Sequence, residues 1–98
     1  MRYMVIERFK HGRARAIYER ARDKGRLLPQ GLEYETSWVS SELDLCFQLM
    51  ECADDTLFDE WIRQWNDLVD FEVIPVISSE EASAAILGGI ENPPTSET

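Results

Sequence analysis

The spacing of apolar positions changes repeatedly along the chain, and each change marks an element. Arg2 to Phe9 is short, apolar and rich in β-formers, and His11-Gly12 breaks it, so a first strand is expected. From Arg13 the period lengthens. Ala14, Ile17, Tyr18 and Ala21 form one helical stripe, which Gly25 can terminate. After a loop marked by Pro29 and Gly31, the residues Leu32, Tyr34, Thr36 and Trp38 alternate with Glu33, Glu35 and Ser37, the period-two pattern of a second strand. Ser40 to Leu43 supplies a hairpin turn into a third, where Leu45, Phe47 and Leu49 alternate with Cys46, Gln48 and Met50.

Asp54 or Asp55 offers an N-cap for a second helix, with Leu57, Phe58, Trp61, Trp65 and Leu68 on one face and Asp59, Glu60, Arg63, Asn66 and Asp67 on the other. Asp70 to Ile77 returns to strand, and Pro75 restricts it to an edge or a bulge. Ser78-Ser-Glu-Glu81 has the form of a capping box opening a short Ala-rich helix that ends near Gly88-Gly89. Residues 91–98 lack apolar periodicity and read as a disordered tail behind a single domain over 1–90. The order β-α-β-β-α-β predicts an α+β fold of the ferredoxin-like type, a four-stranded antiparallel sheet with both long helices on one face.

That arrangement leaves the second sheet face uncovered, yet the strands are apolar on both sides. Tyr3, Val5 and Phe9 oppose Met4 and Ile6, and Leu45, Phe47 and Leu49 oppose Cys46 and Met50. At about 25 cal/mol per Å² of apolar area, a solvated face of this kind forfeits several kcal/mol. A homodimer packed sheet on sheet, a dimeric α/β barrel, is the economical expectation.

Ninety-eight residues with 44% hydrophobic content suit one folded domain, and the net charge of −9 argues against nucleic-acid binding. Charge is unevenly spread: residues 1–31 hold nine of the ten basic residues against three acids, net +6, whereas the remainder holds Arg63 against sixteen acids, net −15. The basic first helix can steer a partner subunit or a small anion, or simply face acidic segments of its own chain. No apolar run approaches the roughly 20 residues of a membrane span. With Cys46 and Cys52 read as structural thiols, a cytoplasmic location is expected.

Met4-Val-Ile-Glu-Arg-Phe9, Gly25-Arg-Leu-Leu-Pro-Gln-Gly-Leu-Glu-Tyr34 with Ser37-Trp-Val39, Cys46-Phe-Gln-Leu-Met-Glu51, and Trp61, Trp65 with Asp67 to Val76 resemble a small bacterial domain-of-unknown-function family. More broadly the chain is similar to the dimeric α/β-barrel superfamily, whose members include cofactor-independent monooxygenases, isomerases and decolorising peroxidases. The resemblance implies the fold and dimerisation, and no particular reaction.

Candidate chemistry is sparse. His11 is the single histidine, so no His-rich metal site is expected, and no glycine pattern supports a nucleotide; no cofactor is expected. Glu7 follows Tyr3 and Val5 on one strand face, which suits either an acid–base catalyst in an apolar layer or a buried ion pair with an arginine. His11 is a second candidate proton acceptor, or an exposed loop residue. Gln48 interrupts an apolar strand face, to orient a ligand or to hydrogen-bond across a subunit interface. Tyr34, Trp38 and Trp61, with Trp65 and Phe58, line a pocket for a flat organic ligand or simply fill the core. The leading expectation is a dimeric module that binds a small organic molecule or serves structurally. The alternative is a cofactor-independent monooxygenase or isomerase acting on a small aromatic or apolar substrate, and an anion or partner-protein sensor built on the first helix comes third.

Overall fold

A computed structural model of the protein describes residues 1–88. The elements follow as β1 (Arg2–Phe9), α1 (Ala14–Lys24), β2 (Glu33–Val39), β3 (Leu45–Glu51), α2 (Leu57–Arg63), β4 (Val69–Val76) and α3 (Ser79–Ile86). The strands form one sheet in the order β2-β3-β1-β4, with every neighbouring pair antiparallel. This is the ferredoxin-like order expected, with a third short helix appended. The tail expected over 91–98 lies outside the described residues. Pro75 sits on β4, an edge strand, where only one side of the backbone must bond.

Register sorts the side chains into two layers. Tyr3, Val5, Glu7 and Phe9 of β1 share a face with Cys46, Gln48 and Met50 of β3 and Val69, Phe71 and Val73 of β4. This face is covered by the helices, and Val5, Met50 and Val69 are fully enclosed there. Phe58 meets Tyr3 edge-on at 5.0 Å between ring centroids, and Trp61 meets Phe71 at 5.2 Å, both geometries that aromatic quadrupoles favour. The other face carries Met4, Ile6, Phe47, Leu49, Ile74 and Val76 in adjacent register.

β2 departs from simple alternation. A bulge at Glu35 separates the pairs Tyr34–Met50 and Thr36–Leu49, so that Tyr34, Ser37 and Val39 lie on the helix-covered face while Thr36 and Trp38 lie on the other. The expected grouping of Tyr34 with Trp38 is therefore broken: the extra residue inverts the parity of everything after it. Trp38 is 58% exposed.

α1 closes on Gly25, whose φ of +70° and bond to the Ala21 carbonyl supply the reversal that a glycine accepts without strain. α2 is shorter than the apolar stripe from Leu57 to Leu68 suggests. Beyond Arg63 the backbone tightens, with Gln64 N bonding to Trp61 O and Trp65 N to Ile62 O, and these turns keep Trp65 and Leu68 buried after the helix has ended. Neither aspartate is its N-cap. Thr56 occupies that position, and Asp54 accepts from the Thr56 amide and hydroxyl instead, closing a turn ahead of the helix. At α3 the capping box is present: Ser78 Oγ accepts from the Glu81 amide, and the Glu81 carboxylate accepts from the Ser78 amide.

Basic residues of the N-terminal third pair with acids from later segments. Arg20 of α1 grips Asp67 in a bidentate bond at 2.8 and 2.7 Å and also reaches the Gln64 carbonyl, tying α1 to the turn after α2. Arg2 meets Glu35, Arg8 meets Glu72 and Lys10 lies near Asp70. Much of the charge asymmetry is thus matched within one subunit. Among the described residues no helix is long and apolar enough to cross a membrane.

Candidate functional site

A cavity of about 130 Å³ lies between the sheet and α1. Its floor is the covered face of the two central strands, Glu7 of β1 beside Cys46 and Gln48 of β3, extended by Ser37 and Val39 of β2. Ile17, Tyr18 and Ala21 of α1 form the roof, consecutive members of its apolar stripe. Trp61 and Trp65 make the inner wall, and Arg26 borders the opening from the loop after α1. A cavity of about 150 Å³ is enough for a benzene ring, so this one is of single-ring size.

The floor carries the chemistry. Glu7 is only 7% exposed, and Gln48 Nε2 donates to its Oε2. Removal from water raises the Glu7 pKa from its ordinary 4.5 to about 7, with the Gln48 bond and the Arg26 charge opposing the rise. A carboxyl with that pKa exchanges its proton near neutrality, as a general acid or base must. Gln48, equally buried, keeps Oε1 without a hydrogen-bond partner among the described residues. A buried acceptor left unpaired costs on the order of 1–3 kcal/mol.

Cys46 lies directly opposite Glu7 in the ladder. Burial pushes its thiol up to about 12, helped by the Glu7 charge and opposed by Arg26, so it is a neutral wall of the cavity and no nucleophile. Cys52 is buried and free as well, its thiol raised chiefly by desolvation.

Arg26 is held by its backbone. Its carbonyl accepts from both Trp61 Nε1 and Trp65 Nε1, each at 2.9 Å, and the next residue, Leu27, has a φ of +60° that turns the chain sharply. The guanidinium lies 3.6 Å above the Tyr34 ring, and Tyr34 Oη shares a 2.7 Å hydrogen bond with Ser37 Oγ. That bond and the nearby guanidinium lower the Tyr34 pKa against the effect of burial. Among the described residues Arg26 forms no ion pair, and its guanidinium is engaged by Tyr34 instead.

Of the residues singled out from the sequence, Glu7, Gln48 and Trp61 border this cavity together. Tyr34 stands beside it, joined through Ser37 and Arg26. Trp38 is on the opposite sheet face. His11 sits in the loop after β1, in a separate shallow groove with Lys10, Arg15, Leu43 and Asp44, away from the Glu7 carboxyl. Gln48 bonds within its own subunit, on the helix-covered face, so the cross-interface reading of that residue does not hold. Arg26 escapes sequence reasoning, because a lone loop arginine carries no spacing signal, and Tyr18 and Ser37 are read from the sequence only as members of a helix stripe and a strand alternation. Among the described residues no group of three or more His, Cys, Asp and Glu side chains is placed to hold a metal ion.

An open-faced α+β sandwich with a buried carboxyl in a ring-sized cavity is the class that fold and site define. The chain belongs to the family described as a domain of unknown function (DUF3303), whose model matches residues 1–90. No curated protein and no solved structure matches it significantly.

Proposed function

We propose that the protein is a homodimeric small-molecule-binding module, with the cavity under α1 as its ligand site. One observation carries this reading: Glu7 and Gln48 are buried together at the floor of an apolar cavity, and Gln48 Oε1 has no partner. A core polar pair that served folding alone is expected to be saturated. An unsaturated pair beside a ring-sized space is what a ligand bearing an O–H or N–H would complete.

Dimerisation through the open face rests on its apolar centre of Met4, Ile6, Phe47 and Leu49, with Trp38 at one side and Ile74 at the other. Charged pairs border it, Arg8 with Glu72 and Arg2 with Glu35. A second copy of the same face offers the matching apolar surface and a rim of both signs, the self-complementarity that a two-fold interface requires.

A second reading is proton transfer within a bound substrate. The Glu7 pKa of about 7 favours it, because one carboxyl can take a proton from one atom and return it to another. Of the reactions considered from the sequence, an isomerisation is the one that a lone carboxyl supports.

Native mass spectrometry of the purified protein tests both parts. Twice the mass of the 98-residue chain plus a constant small adduct supports the module. A monomer at micromolar concentration, unchanged in Trp38→Asp, overturns the dimer. Amide chemical shifts around Glu7, Cys46 and Gln48 that stay fixed in millimolar phenol overturn the ligand site.

A further inference from the structure

Three features of the cavity bear on what it can hold. Its space matches one aromatic ring. At the floor, Glu7 Oε2 accepts from Gln48, leaving the rest of the carboxyl and Gln48 Oε1 as acceptors in want of a donor. On the exposed side, the Arg26 cation has no ion-pair partner among the described residues; two indole N–H groups hold its carbonyl while the Tyr34 ring supports the guanidinium. Buried acceptors and an exposed cation thus line one cavity, which apolar side chains of α1 and β2 also line.

Resting on the ligand-site reading above, we propose that the cavity takes a single-ring monocarboxylate carrying a hydroxyl or amino group at the opposite end. The carboxylate pairs with Arg26 and the ring lies beneath Ile17, Tyr18 and Ala21. The hydroxyl or amino group donates to the Glu7–Gln48 pair. Against the protein's net charge of −9, the local attraction for an anion comes from Arg26, which lines the cavity without an ion-pair partner among the described residues. Arg26 is suited to the task because its planar fork matches a carboxylate in a bidentate way while its face stays on the tyrosine.

Titration calorimetry or amide shifts with 4-hydroxybenzoate, benzoate and phenol tests the assignment on the full chain. We expect 4-hydroxybenzoate to bind at least tenfold more tightly than phenol, which lacks the anion, and than benzoate, which lacks the donor. In Arg26→Gln the advantage over phenol collapses to less than threefold while the phenol affinity is kept. In Gln48→Leu the advantage over benzoate shrinks and the Arg26-dependent one remains. Phenol binding as well as 4-hydroxybenzoate in the native protein, or an advantage that survives Arg26→Gln, overturns the ligand class and leaves the ligand site standing. Absence of binding by all three at millimolar concentration overturns the site itself.

Discussion

Replacing Glu7 by glutamine isolates the one strongly displaced carboxyl among the buried described residues. An unfolded glutamate loses its proton near 4.5, whereas Glu7 in the folded chain loses it at about 7. Between those values the folded state holds a proton that the unfolded state has released. Stability therefore falls as pH rises through that window and levels off above it. At about 1.4 kcal/mol for each tenfold change in proton affinity, the full effect is roughly 3 kcal/mol, most of which appears between pH 5 and pH 8. Glu7→Gln keeps the side-chain volume, cannot ionise, and brings an amide N–H₂ to the unpaired Gln48 Oε1. The variant is expected to match or slightly exceed the native protein at pH 5 and to exceed it by about 3 kcal/mol at pH 8. Urea unfolding at fixed protein concentration measures this, and with slopes of roughly 1–2 kcal/mol per molar the midpoints separate by about 1.5–3 M at the higher pH. Subtracting the variant curve from the native one removes the contribution of the other carboxylates. A difference that is the same at pH 5 and pH 8 to within about 0.5 kcal/mol would show that the Glu7 carboxyl is not desolvated, and the account of the cavity floor would fail.

Two other outcomes follow from the same site. Trp61→Phe and Trp65→Phe each remove one donor from the Arg26 carbonyl, and since the other indole remains, each single change costs about 1 kcal/mol through that bond; the double variant costs more than the sum, because only then is the carbonyl abandoned, and a double-mutant cycle by chemical denaturation reads the coupling. With its thiol at about 12 and both cysteines buried, the native protein at pH 8 is expected to resist a disulfide reagent over a period in which urea-unfolded protein titrates two thiols. Rapid modification of Cys46 in the folded state would refute its assignment as a sealed wall.

Much of the fold is legible in the sequence because its signals are local. The alternation of β3 and the stripe of α1 each follow one uninterrupted period, and Ser78 with Glu81 is a cap whose two partners lie three residues apart. Glu7 and Gln48 stand out because each is a polar residue in an apolar strand face, which is what a functional interior position looks like in one dimension. β2 defeats the same reading. Its residues alternate well enough to suggest an unbroken strand, but the bulge at Glu35 is a property of how β2 meets β3, and nothing within 33–39 announces it. The end of α2 is lost for a related reason: Trp65 and Leu68 continue the apolar spacing although the backbone has left the helix, since tight turns can bury the same positions. Arg26 is invisible because its carbonyl is what anchors it, and main-chain groups have no sequence signature.

The shared acceptor at Arg26 ties three distant parts of the chain into one lever. Trp65, whose indole holds that carbonyl, also offers its own carbonyl to the amide of Val69, where β4 begins, and its ring lies 5.4 Å from the Arg20 guanidinium of α1. A guest that displaces the loop by even a fraction of an ångström must loosen both indoles at once. Two of the three tryptophans would therefore report optically on any shift of that loop, and the third, out on the opposite face, would report separately on its own surroundings.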